Sequence, residues 1–219
     1  MGARTNDTSR FIVQIPLIGA VLFIILYLIA AYLYPGGSQA DKTSKGFSWA
    51  NNYWCNLLNE NAINGAVNPA RPVAITAMVT LGATLSIFWF LFGRIVHFTK
   101  LSRFAITLSG LASMVTTMFL FTPYHDSVIN IAGVLGLVAL TYTFIGLYKN
   151  KWYQLFKMGF INIILIIVNN ILYHTGLLKY LPVVQKITFL FFLVWICLID
   201  VGLLRMLQNA SGKVAALKR

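Results

Sequence analysis

Six apolar runs dominate a chain of 219 residues: Phe11–Tyr34, Val73–Val96, Phe104–Phe121, Val128–Tyr148, Leu155–Leu178 and Val183–Met206. At a rise of about 1.5 Å per residue, a helix of about 20 apolar residues crosses the roughly 30 Å hydrocarbon core of a bilayer. No water reaches that core, so each segment must satisfy its own backbone N–H and C=O groups, and a helix does so internally. The runs predict an all-α, polytopic membrane protein. Its expected form is one six-transmembrane-helix bundle with a structured outer loop at 35–72 between helices 1 and 2. Composition excludes the soluble alternative, with 58% of residues hydrophobic and 10% charged. An ordinary globular domain carries about a quarter of its residues charged.

The first run is longer than the apolar region of a signal peptide, which is about 7–15 residues, and no A-x-A-like cleavage site follows it. It reads as a retained helix, with Pro16 near its first turn, where proline does least damage. Orientation follows from the cations. With the N-terminus inside, 12 Lys and Arg fall on the cytoplasmic side and 5 outside, namely Lys42, Lys45, Arg71, Lys179 and Lys186. This is the positive-inside bias, so both termini are expected in the cytoplasm and the chain in the cell membrane. Most of the formal charge of +12 then serves orientation and contact with anionic headgroups. No basic stripe or aromatic-interleaved patch is present, so membrane lipids are the expected partners and nucleic acid is not. A homo-oligomer remains open to such a bundle.

One long polar passage interrupts this pattern. Phe47–Pro72 holds seven asparagines, two tryptophans, Cys55 and Glu60. Ser48 to Asn51 reads as the start of a short interfacial helix running to about Asn61, with Trp49, Tyr53 and Leu57 on its apolar face. Asn64-Gly65 and Asn68-Pro69 are turn signals. The only other cysteine, Cys197, lies in an apolar run, so two free thiols are expected.

With this topology, the outer face gathers the polar passage, the turn Thr122–Ser127 and the end of span five, Asn169–His174. Asn51, Asn52, Trp54, Tyr124, His125, Asp126, Asn170 and His174 are the candidate ligand-binding residues there. Asn170 and His174 are four apart and share a helix face, and Asn162 and Asn169 share the neighbouring one. Amides are costly in hydrocarbon, so this edge should point into the bundle, either tying helices together or lining an outward-facing polar pocket. His125, Asp126 and His174 are also the candidate zinc ligands or acid/base groups. Against that, adjacent helical residues diverge by about 100°, and Asp126 or Ser127 at the start of span four suits a helix cap. Asp200 is the one acid deep in a span and a candidate proton carrier, with solvation from the inner interface as the plainer account. Ser109, Ser113 and Thr117 recur every four residues, and with Gly133 and Gly136 they mark close helix packing. No G-x-S-x-G, H-E-x-x-H or phosphate-binding glycine loop is present.

The motifs N-N-Y-W-C-N-L-L (Asn51–Leu58), N-P-A-R-P (Asn68–Pro72) and T-P-Y-H-D (Thr122–Asp126) resemble those of the bacterial domain-of-unknown-function 998 group. That group is distantly similar to the DRAM-like six-helix membrane proteins. The resemblance implies a six-helix bundle with a structured first outer loop and no established reaction. A second similarity is to the alkaline ceramidase and progestin-receptor-like hydrolases, which use a membrane-embedded zinc held by Ser, Asp and three His in seven spans. One span and the paired histidines of their last helix are missing here, and His97 is on the opposite side. Three readings follow: a protein binding a lipid or small amphiphile in an outward-facing polar pocket, a metal-dependent lipid hydrolase, and a proton-coupled transporter using Asp200.

Overall fold

The computed structural model describes the backbone of residues 2–216 and the side chains of residues 11–124 and 127–209. The helices are α1 (Gly2–Leu33), α2 (Arg71–Ile95), α3 (Lys100–Thr117), α4 (His125–Lys149), α5 (Tyr153–His174) and α6 (Leu181–Ala216). Among the described residues there is no strand, only the isolated bridges Gly36–Lys45 and Asn61–Val67. The protein is thus all-helical, and five helices are long and apolar enough to cross a membrane: α1 over Phe11–Leu33, α2, α4 over Ser127–Lys149, α5, and α6 over Leu181–Asn209.

The exception is α3. It has 18 residues, about 27 Å of helix, and begins with Lys100 and Arg103 in its first turn. The sequence places this run at 104–121, but the helix stops at Thr117, and residues 118–120 fold into turns through Met118 N–H to Val115 O, Phe119 N–H to Thr116 O and Leu120 N–H to Thr117 O. Another departure is Pro16. Because α1 starts at Gly2, Pro16 is an interior residue, not a first-turn one. Proline there is tolerated in membrane helices whose neighbours surround the break, and Pro16 is buried.

Sequence neighbours pack as spatial neighbours, and α1 also packs on α6. In this ring α2 is the most enclosed, with half of its apolar stretch buried against 11% for α5. Small residues allow the close approaches. A Cβ on Gly19 of α1 would meet Thr84 Oγ1 of α2 well inside contact distance, and one on Gly110 of α3 would meet the Trp89 ring at 2.7 Å. The predicted small-residue stripe on α3 is used in this way. Ser113 donates to Ala132 O of α4 at 2.8 Å, and Gly136 leaves room for the Ser113 hydroxyl.

The segment between α1 and α2 is ordered by its asparagines. In place of the expected helix to Asn61, only the 3-10 turn Trp54–Leu58 forms. The physical reason is competition from side-chain amides for backbone donors, which diverts a chain from the helical ladder. Asn56 Oδ1 accepts from Tyr53 N–H at 2.6 Å, and Asn52 Oδ1 accepts from Ser48 N–H at 2.8 Å. Asn68 donates to Leu57 O and Asn59 O and accepts from Ala70 N–H. Gly37, at φ +82°, lies so close to Asn64 N that a Cβ would stand 2.3 Å from it. That position needs glycine both for its left-handed backbone and for space.

Candidate functional site

The loop roofs an apolar chamber of about 220 Å³. Two i, i+4 pairs line it, Phe23 and Tyr27 on α1 and Gln185 and Phe189 on α6, together with Trp54 and Cys55 of the 3-10 turn. Met78 and Leu81 of α2, Leu120 and Ile129 complete the wall. The rings form a closed set: Tyr27 to Trp54 at 3.9 Å, Trp54 to Phe189 at 5.6 Å, Phe189 to Phe23 at 5.4 Å and Phe23 to Tyr27 at 5.2 Å. Tyr27 Oη donates to Trp54 O and fixes the turn to α1.

Helix geometry gives the chamber a depth. Gln185 is in the first turn or so of α6, whereas Met78 and Leu81 are seven and ten residues into α2, roughly 10–15 Å below its start. The polar groups are therefore at the loop end. Trp54 Nε1 and Gln185 Oε1 are buried there without a hydrogen-bond partner among the described residues. Leaving such an atom unpaired costs about 1–3 kcal/mol, so these two are unmet capacity at the top of an apolar volume.

A second volume of about 430 Å³ adjoins the first and shares Cys55, Leu58 and Leu120 with it. It is more polar, lined by Asn59, Glu60 and Arg71 on the loop side and by Phe121, Thr122 and Pro123 on the α3–α4 link. Arg71 Nη1 donates to Glu60 Oε1 at 3.0 Å, and Arg71 Nε donates to Leu58 O. Cys55 stands where the two volumes meet. Burial raises its thiol pKa above the usual value, partly offset by a backbone hydrogen bond and by the positive charge of Lys186. Tyr53 beside it is raised as well, first by burial and then by the neighbouring Cys55 and Tyr173.

Of the residues singled out from sequence, Trp54 lines the chamber. Asn52 is fully buried and directs its amide to Gly37 O and the loop backbone. Asn51 bonds Ser48 Oγ. Tyr124 is exposed, and the segment just before it, 120–123, forms one side of the mouth. Asn170 and His174 lie on the exposed face of α5, with Asn170 bonded to its own helix at Ile166 O. Asn169 donates to Thr188 Oγ1 of α6 and ties the two helices. Asn162 is buried with neither amide atom partnered among the described residues. Asp200 is fully buried, its carboxylate oxygens likewise unpartnered among the described residues, and it lies outside the chamber lining.

The N-cap of α4 is Tyr124, without a side-chain cap bond, so Asp126 and Ser127 fall inside the first turn and not at the cap. The side chains of His125 and Asp126 lie outside the described residues. Among the described residues no three His, Cys, Asp or Glu converge as a metal ion requires. Cys55 and Cys197 are both free. The sequence reading passed over Tyr27, Cys55 and Gln185 as site residues. For Tyr27 and Gln185 the available signal was a polar atom toward the loop-side end of an apolar run, at i, i+4 from an aromatic; Cys55, in the polar passage with Asn51 and Asn59 four residues either side, carried no such signal. No family model matches the chain, and neither a curated protein nor a solved structure matches it.

Proposed function

We propose that this protein is a multi-pass, six-span membrane protein that binds a single-chain amphiphile, with the chain in the chamber and the head at the mouth. The observation that carries this is the gradient across two adjoining volumes, from an aromatic and aliphatic pocket to a mouth with a cation, an anion and a hydroxyl. Magnitude supports an occupant. At about 24 cal/mol per Å³, a chamber of this size left empty forgoes packing worth up to roughly 5 kcal/mol, an upper limit because the chamber opens at its mouth. Lipid or amphiphile chains recover that packing, and water in an aromatic pocket does not.

A sixth crossing by α3 is supported by its packing against both α2 and α4 and by the short links on either side, residues 96–99 and 118–124. The 12-to-5 cation bias supports cytoplasmic termini and a mouth on the outer side of the cell membrane.

Cys55 supplies the test. In a Cys197→Ser background, held in nanodiscs of zwitterionic phospholipid, Cys55 is the only thiol, and a maleimide reports access to the neck. A twelve-carbon amphiphile at ten times its Kd should slow labelling about tenfold. A four-carbon homologue with the same head should not. Labelling unmoved by chain length would remove the proposal.

A further inference from the structure

Among the described residues no charged side chain lines the chamber. Lys186, next in sequence to the lining residue Gln185, spends its ammonium on the backbone carbonyls Asn52 O and Pro182 O. Arg71 and Glu60 line only the adjoining volume, where they pair with each other at 3.0 Å. An ionic group drawn into the chamber would leave its water and meet no counter-charge, which favours an uncharged occupant.

The chamber does present hydrogen-bonding groups. Its polar lining residues are Tyr27, Trp54, Cys55 and Gln185. Tyr27 gives its proton to Trp54 O, and a thiol bonds only weakly. Trp54 Nε1 and Gln185 Oε1 are left, both buried and both without a partner among the described residues. They belong to one neighbourhood, since Phe189, one turn along α6 from Gln185, has its ring 5.6 Å from that of Trp54. They are also of opposite kind, because the indole nitrogen only donates and the amide oxygen only accepts.

A head that meets both must accept and donate at the same end of the chamber. A hydroxyl does both. An ether accepts from Trp54 and offers nothing to Gln185. An oxyanion does the same and sets negative charge against the amide oxygen, while a quaternary ammonium bonds neither atom.

Resting on the amphiphile reading above, we propose that the ligand is an uncharged single-chain lipid with a hydroxylated head, of the fatty-alcohol or monoacylglycerol kind, that accepts from Trp54 Nε1–H and donates to Gln185 Oε1 at the loop end of the chamber.

Four probes of one chain length decide: dodecanol, 1,2-dodecanediol, dodecyl methyl ether and dodecyl sulfate. Each is titrated against Cys55 labelling in the full-length Cys197→Ser protein in nanodiscs, and they are compared by mole fraction in the lipid. At least one alcohol should protect at mole fractions about tenfold or more below the ether and the sulfate. Trp54→Phe, which keeps a ring, and Gln185→Met, which keeps the length, should each weaken the better alcohol about tenfold and leave the ether unchanged. Protection by the ether or the sulfate equal to that by the alcohols, or an alcohol preference that survives both substitutions, would overturn the head assignment and leave the amphiphile site standing. If no twelve-carbon probe protects, both fall. If either substitution also loses the ether, that side chain holds the wall, and the ranking of heads on the unaltered chamber decides alone.

Discussion

Cys55, with Leu58 and Leu120, sits where the apolar and polar volumes adjoin, beside a turn held by Tyr27 from α1 and by Lys186 from α6. Its environment keeps it a thiol. Burial disfavours the thiolate and raises the pKa, and the Lys186 charge only partly reverses this. Stability from the buried thiol is therefore fully present below the unfolded cysteine value of about 8.5 and is lost as pH rises through the higher folded value. Alkylation should show the same sign: between pH 7 and 9 Cys55 should react more slowly than a free thiol and keep accelerating after the free thiol has levelled off. Iodoacetamide rates from pH 7 to about 10.5 check it, and a rate that levels off in step with a free thiol, above about pH 9.5, would contradict the burial described here.

The loop is the element on which the chamber depends, because it is the roof. Its turn residues are placed by asparagine amides, not by an apolar helix face. Asn68 alone bridges the 3-10 turn to the start of α2, with donors to Leu57 O and Asn59 O and an acceptor for Ala70 N–H. Asn68→Ala removes these bonds and leaves buried backbone groups unpaired, at a cost of about 1–3 kcal/mol. The expected result is a lowered Tm together with faster Cys55 labelling in the same preparation. A lowered Tm with unchanged labelling would mean that the loop unfolds with the bundle and does not gate it. The interfacial helix expected over Ser48–Asn61 failed for the same reason that Asn68 matters. Seven amides in 26 residues compete with the helical ladder, and the apolar spacing of Trp49, Tyr53 and Leu57 does not outweigh them.

On the scale of the whole molecule, α1, α2, α6, the loop and the α3–α4 link meet at one end of the bundle. That arrangement needs the links 96–99 and 150–152 to share one side of the membrane and the loop and residues 175–180 the other. In a background lacking both native cysteines, Lys100→Cys and Lys151→Cys should label from one side, and Ser44→Cys and Lys179→Cys from the opposite side. If Lys100→Cys and Lys151→Cys label from opposite sides, α3 does not cross, and the five-helix minimum set by apolar length is the whole count.

Much was legible in the chain alone because the bilayer is a severe solvent. Apolar runs of about 20 residues have one way to satisfy their backbone there, so helix number, approximate bounds and the polar interruption at 47–72 all read directly. Trp54 was legible as an interfacial aromatic in a polar loop. Tyr27, Gln185 and Lys186 were not, and Asn170 and His174, which share a plausible helix face, turned out to lie on the exposed side of α5. Helices surrounded by lipid are apolar on every side, so hydrophobic periodicity no longer marks which face turns inward. The rotation of each helix, and with it the meeting of Phe23, Trp54 and Phe189, is set by contacts such as Gly19 against Thr84 that exist only once the helices have packed.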